Sequence, residues 1–233
     1  MAPGFVDRLF MVTVHHLENS RSQRVLWLLE ELGVAYQLVR YRRDATTLLA
    51  PPELRAVHPL GKSPVLEADG HVLAESGAIL EYLLERHDPN HRLSPSPELL
   101  DAPERLRFRH WMHYAEGSAM PPLLLGLVLA RIRQAPMPFF ARPVARAIVD
   151  KAVSAFVGPQ RALHLGYMES ELGRHGWFAG DRFSAADIQM SFPVEAAIAR
   201  GGGTYPQAFV ERIRARPAYQ RAVERGGPFE LLR

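Results

Sequence analysis

Apolar residues follow two different spacings over the first 88 positions, and only one of them afterwards. Leu9 to His15 is a short run with β-branched and aromatic residues and reads as a strand, after which Val25, Leu28, Leu29 and Leu32 recur at helical spacing until Gly33. Ala35 to Tyr41 reads as a second strand and Pro52 to Val57 as a short helical turn. Val65 to Ala68 and His71 to Ala74 flank Asp69-Gly70, a dipeptide that favours a tight hairpin. Ile79, Leu80, Leu83 and Leu84 then form one apolar stripe of a helix that ends near His87. The predicted order β-α-β-α-β-β-α calls for a mixed sheet with helices packed on it.

Pro89, Pro95, Pro97 and Pro103, with scattered serines, mark residues 89–103 as a linker running into a fourth helix. Beyond it the spacing predicts helices over 101–119, 122–134, 143–157, 159–175, 184–200 and 206–225. The chain therefore divides into an α/β domain at 1–88 and an all-α domain at 104–233. The longest apolar run, Met120 to Ala130, contains Pro121 and Pro122 and falls short of the ~20 residues that a bilayer span needs. It is read as a buried helix, and no membrane is expected as a partner. Ser184-x-x-Asp187 has the form of a capping box with Asp in place of Glu, a folding feature.

Composition narrows the classes. Of 233 residues 47% are hydrophobic, enough for real cores, and 28 basic against 25 acidic residues leave a net charge of only +3. That balance does not indicate nucleic acid binding, and Arg21, Arg24, Arg40, Arg42 and Arg43, without interleaved aromatics, read as a solvated basic face. The absence of cysteine removes disulfides, thiolate metal sites and any thiol chemistry carried by the protein itself. Met1 to Arg8 lacks a basic segment followed by an apolar run, so no signal peptide is read and the cytoplasm is the expected compartment.

Candidate chemistry gathers in two segments, His58-Pro-Leu-Gly-Lys-Ser-Pro-Val-Leu66 and Ala74-Glu-Ser-Gly77. Pro64 opens a strand, where a missing N–H is tolerated. Glu75 and Ser76 stand at a helix start, where Ser76 can cap and Glu75 can complement the dipole, or where the pair can meet a ligand's carboxylate and ammonium. Ser20, after the first strand, is placed to open a capping box with Gln23. His110 and His113 lie one helical turn apart without a third ligand, so no metal is expected. His15 and His16 point to opposite faces of their strand and cannot act as a pair.

Together with Ala179-Gly-Asp-Arg-Phe-Ser-Ala-Ala-Asp-Ile188, these segments resemble the cytosolic glutathione transferases over nearly the whole chain. Ser20-Arg-x-x-Arg24 resembles a serine-type fungal and bacterial branch of that family. The resemblance implies a thioredoxin-like N-terminal domain followed by an all-α C-terminal domain, in a two-fold homodimer. It implies a cis bond at Ser63-Pro64, with the Ser63 backbone pairing to the cysteinyl part of glutathione and Lys62 meeting the glycyl carboxylate. Ser76 and the free helix N–H groups would take the γ-glutamyl carboxylate, and Glu75 the ammonium. Ser20 would hold the thiolate, with Asn19 and Ser22 as alternatives, while Trp111, His113 and Tyr114 stand on the helix that walls the acceptor pocket. The implied function is conjugation of glutathione, a co-substrate, to small apolar electrophiles in detoxification. Hydroperoxide reduction, isomerisation or dehalogenation on the same site, and a non-catalytic binding or regulatory protein with the same fold, stand as alternatives.

Overall fold

Alternating β-branched positions place Val12 and Val14 in the core of β1 (Val12–Leu17), the inner strand of a four-stranded sheet. The computed structural model describes residues 11–98, 102–199 and 203–229. β1 pairs in parallel with β2 (Tyr36–Tyr41) and antiparallel with β3 (Val65–Ala68), and β3 closes a hairpin with β4 (His71–Ala74), giving the order β2-β1-β3-β4. This is the mixed sheet predicted. Its first strand runs two residues further than expected, because pairing with β2 continues to Leu17 opposite Tyr41. Leu9 and Phe10, placed in that strand by the sequence reading, lie outside the described residues, as do Met1 to Arg8 and positions 101 and 200 of two expected helices.

Between β1 and β2 runs α1 (Ser22–Leu32), in which every residue from Ser22 to Leu29 is buried. A helix covered on all sides must be enclosed rather than laid on a surface. α1 is packed against β1, α3 (Ser76–His87), α8 (Ala185–Ile198) and α10 (Pro217–Gly226). Gly33 ends it in the left-handed region, its N–H reaching the Leu29 carbonyl, a conformation glycine adopts without steric cost. A short α2 (Glu53–Val57) precedes the segment that leads to β3.

The helical region departs from expectation at its prolines. Two separate helices were predicted around Pro121-Pro122, yet α4 (Pro103–Tyr114) passes through one wide π turn at Ala115–Ala119 directly into α5 (Met120–Gln134). The wider turn sets the Met120 N–H on Ala115, five residues back, so the prolines fall in a first turn where their missing donors cost little. The same device joins α6 (Arg142–Ala152) through Val153–Val157 to α7 (Gly158–His175), just ahead of Pro159. The expected single helix at 206–225 is instead α9 (Thr204–Arg214) and α10, because Pro217 holds Arg216 extended. The Ser184–Asp187 capping box forms, with Asp187 accepting from the Ser184 and Phe178 N–H groups at 2.8 Å each. Met120 to Ala130 is not the buried helix predicted: Met120, Pro122 and Leu123 are covered, while Leu124, Leu125 and Val128 are exposed.

Candidate functional site

After β1 the chain reverses at Asn19, whose φ of 49° lies in the left-handed region, and enters α1. The Ser20–Gln23 capping box that one reading allowed does not form: both side-chain polar atoms of Gln23 are buried without a hydrogen bond among the described residues. The Ser20 hydroxyl instead accepts from the Ser22 N–H at 3.3 Å and lies 2.7 Å from the Ser22 hydroxyl and 3.5 Å from that of Ser63.

The proton positions in this cluster follow from its partners. Burial pushes the His16 imidazole down to about 4 despite a hydrogen bond to the Gly226 backbone, so the ring is neutral. With its one N–H directed to Gly226, its Nδ1 is the acceptor, 2.8 Å from the Ser22 hydroxyl. Ser63 in turn donates to the His15 carbonyl at 2.9 Å and accepts from the Leu17 N–H at 3.2 Å. Ser22 and Ser63 thus spend their protons inward, and both face Ser20 as acceptors. His15 turns the other way, to Tyr41 and Glu67, as strand geometry requires.

The Ser63–Pro64 bond is cis, and Pro64 is buried while Lys62 is exposed, with its ammonium in no ion pair among the described residues. Glu75, not Ser76, occupies the N-cap of α3; it is exposed and strained, with φ 72° and ψ 118°. Such backbone values persist only where the surroundings impose them. Ser76 is buried as the first helical residue, so it is not the cap that one reading gave it.

Arg24 joins these parts. Its Nη1 donates to the Ser76 hydroxyl at 3.2 Å, to Glu116 at 2.7 Å and to Gln189 at 3.2 Å. Arg21 grips the same Glu116 with Nε at 2.8 and 2.9 Å, and both guanidiniums lie over the Phe192 ring. Burial lowers the Arg24 guanidinium to about 10. For Glu116, burial alone would raise the carboxyl, but Arg24 and Arg21 outweigh it and hold it below the ordinary range. The solvated basic face predicted for the arginine cluster therefore holds for the exposed Arg40 and Arg42 and is overturned for Arg21, Arg24 and Arg43. Arg24 is 1% exposed, and Arg43 binds Glu18 and the carbonyls of Asn19 and Leu48. Sequence reading missed Arg24, Glu116 and Gln189 as parts of the site.

A cleft of about 540 Å³, lined by Glu18, Asn19 and Arg21 on either side of the buried Ser20, opens between that turn, the loop at 43–49 and the helices α5 and α8. Met120, Leu123, Leu124, Leu127, Phe192 and Ala196 form its apolar wall, and Arg21, Arg43 and Arg131 reach its polar side. Trp111, His113 and Tyr114 do not line it. Trp111 is fully buried, stacked on Tyr167 at 5.0 Å; Tyr114 is hydrogen-bonded to His164; His113 is exposed. The wall lies further along the same helical run, past the π turn, at Met120, Leu123, Leu124 and Leu127. Among the described residues no group of three metal-binding side chains occurs.

A four-stranded mixed sheet with a cis-proline before β3, joined to a helical region, defines a thioredoxin-like class of fold. The model of the glutathione S-transferase N-terminal domain matches residues 11–85. Glutathione S-transferase 1 of Saccharomyces cerevisiae is 36% identical over 198 residues, 82% of either chain. Glutathione S-transferase 3 of Schizosaccharomyces pombe is 40% identical over 187 residues, 80% of this chain and 74% of that one. Among solved structures, a glutathione S-transferase of Actinobacillus pleuropneumoniae superposes with a TM-score of 0.77 at 32% identity, over 95% of each chain. The chain belongs to the glutathione S-transferase family.

Proposed function

We propose that the protein is a serine-type glutathione transferase that joins the glutathione thiolate to small apolar electrophiles. One observation carries this reading: of the three clustered hydroxyls, only that of Ser20 has nothing but neutral hydroxyl oxygens as acceptors, and its chain neighbours Asn19 and Arg21 line the 540 Å³ cleft. A thiol titrates near ~8.5, so at neutral pH it needs a donor to hold it as thiolate. Turning the Ser20 proton from a neutral hydroxyl to an anionic sulfur exchanges a bond of about 1 kcal/mol for one of about 1.5–3 kcal/mol. Ser22, committed to His16, is the weaker alternative; Asn19, which lines the cleft, is the stronger one.

The rest of the tripeptide follows the exposed elements around Ser20. The Ser63 backbone offers strand-like pairing to the cysteinyl residue, and Lys62 meets the glycyl carboxylate. Ser76 and the free N–H groups at the start of α3 take the γ-glutamyl carboxylate, with Glu75 on its ammonium. The sulfur then attacks the electrophilic carbon held against Met120, Leu123 and Phe192; an S–C bond forms and the leaving group departs with the bonding electrons. The division of labour assigns glutathione to residues 1–88 and the acceptor to the face of 104–233 across the 89–103 linker, in a cytoplasmic homodimer serving detoxification.

The test is retention on immobilised glutathione together with turnover of halo-aromatics, hydroperoxides and enals, each with and without glutathione. Glutathione-dependent conjugation of halo-aromatics or enals is expected. Peroxide turnover alone would transfer the site to a reductive reaction, and retention without any turnover would make the protein a binder.

A further inference from the structure

The turn between α5 and α6 is built against the usual rule of burial. Phe139 is 82% and Phe140 70% exposed, edge to face at 5.7 Å, on a turn stiffened by Pro136 and Pro138. The exposed apolar surface continues into both helices. From Phe140 it passes at helical spacing to Val144 and Ile148, and on α5 it includes Val128 and Ile132. Soluble surfaces rarely present contiguous apolar area of this kind without a partner.

Charge identifies that partner. Between Gly117 and Met168 the chain has six basic residues, Arg131, Arg133, Arg142, Arg146, Lys151 and Arg161, against the single acid Asp150. Asp150 is itself taken by Arg133 at 2.8 Å. The remainder of the chain has 22 basic and 24 acidic residues, so the positive excess of the whole protein resides around this hairpin. Lys151 falls seven residues after Val144, on the same helical row, about 10 Å further along α6 at 1.5 Å per residue. An apolar tip backed by cations at that distance suits acyl chains below and anionic headgroups above, with the lysine stem lying along the apolar layer. A second copy of the chain suits it less, because a two-fold contact would bring two such positive fields together.

We propose that the α5–α6 hairpin docks the protein edge-on to an anionic lipid surface, with Phe139 and Phe140 entering the acyl boundary. This departs from the expectation of no membrane partner, which concerned spanning segments. The helical run Pro103–Gln134 is long and apolar enough to span by length and composition, but Trp111, Met112, Ala115 and Ala119 tie it into the core. A dock at its far end leaves that core intact.

The experiment is vesicle flotation of the full chain, using phosphatidylcholine alone or mixed with phosphatidylglycerol. The floated fraction should rise about tenfold on the anionic vesicles and fall as salt screens the headgroups. The double variant Phe139→Ser/Phe140→Ser should lose about tenfold of that binding while retaining glutathione-column retention and the near-ultraviolet dichroism of the parent. Absence of flotation, or equal flotation of parent and variant, overturns the proposal. So does a fall in the variant's solution mass, which would assign the patch to contact between copies.

Discussion

Ser20, Ser22 and Ser63 carry the same functional group within reach of one another, and their neighbours make them different. A neutral His16 fixes the proton of Ser22, the His15 carbonyl fixes that of Ser63, and Ser20 keeps a mobile one. Ser20→Ala should therefore lower kcat for conjugation ten- to a hundredfold, the equivalent of about 1.4–3 kcal/mol, with glutathione affinity changed less than about threefold. Steady-state kinetics with calorimetry checks this, and an unchanged kcat would pass the role to Asn19. Glu75→Ala should act on the other quantity, weakening glutathione binding about tenfold because an exposed carboxylate facing an ammonium is lost. An unaltered dissociation constant would remove Glu75 from the site. The residues proposed to hold glutathione could be named from sequence because they lie in two short segments, Lys62 to Pro64 and Glu75-Ser76. Arg24 was not legible: its burial depends on Glu116, 92 positions away, and nothing local distinguishes it from a solvated arginine.

At the scale of elements, the π turn at Ala115–Ala119 does two things at once. It carries the helical run past Pro121-Pro122, and it presents Glu116 to Arg21, just ahead of α1, and to Arg24 within it. Because both arginines hold the Glu116 carboxyl below its ordinary range, the folded state binds its proton less readily than the unfolded chain does. The resulting stability is present above the unfolded value of about 4.3 and is lost as pH falls below it through the folded value. Glu116→Gln should lower stability at neutral pH by about 2 kcal/mol and flatten the loss of stability on acidification. Urea denaturation at several pH values is the measurement, and parallel curves for the two proteins would refute the coupling. Periodicity predicted the helices well but misjudged their ends at proline. It placed a stop at Pro121 and Pro159, which wide turns absorb, and none at Pro217, which breaks a helix it was expected to lie within.

At the scale of the molecule, the late helix α10 completes the early part of the fold. Trp27 meets Tyr219 edge to face at 5.1 Å, and Glu30 and Glu31 of α1 are paired with Arg221, Arg225 and Arg216. Gly226 seats against the same bed that supports Ser22: a Cβ there would come within 2.8 Å of Leu26, 2.9 Å of Gln23 and 3.3 Å of His16. The buried Leu26 and Gln23 would have to shift to admit it, so Gly226→Ala should cost about 1–3 kcal/mol and lower Tm by several degrees, as a thermal melt will read. An unchanged Tm would show that the bed is soft. This closure also sets an order of events during synthesis. Glu30 leaves the ribosome 191 positions ahead of Arg221, so the outer side of α1 remains unclothed while nearly all the rest of the chain is made. Nascent chains stalled before Pro217 will offer that side to chaperones and proteases, and completed chains will not.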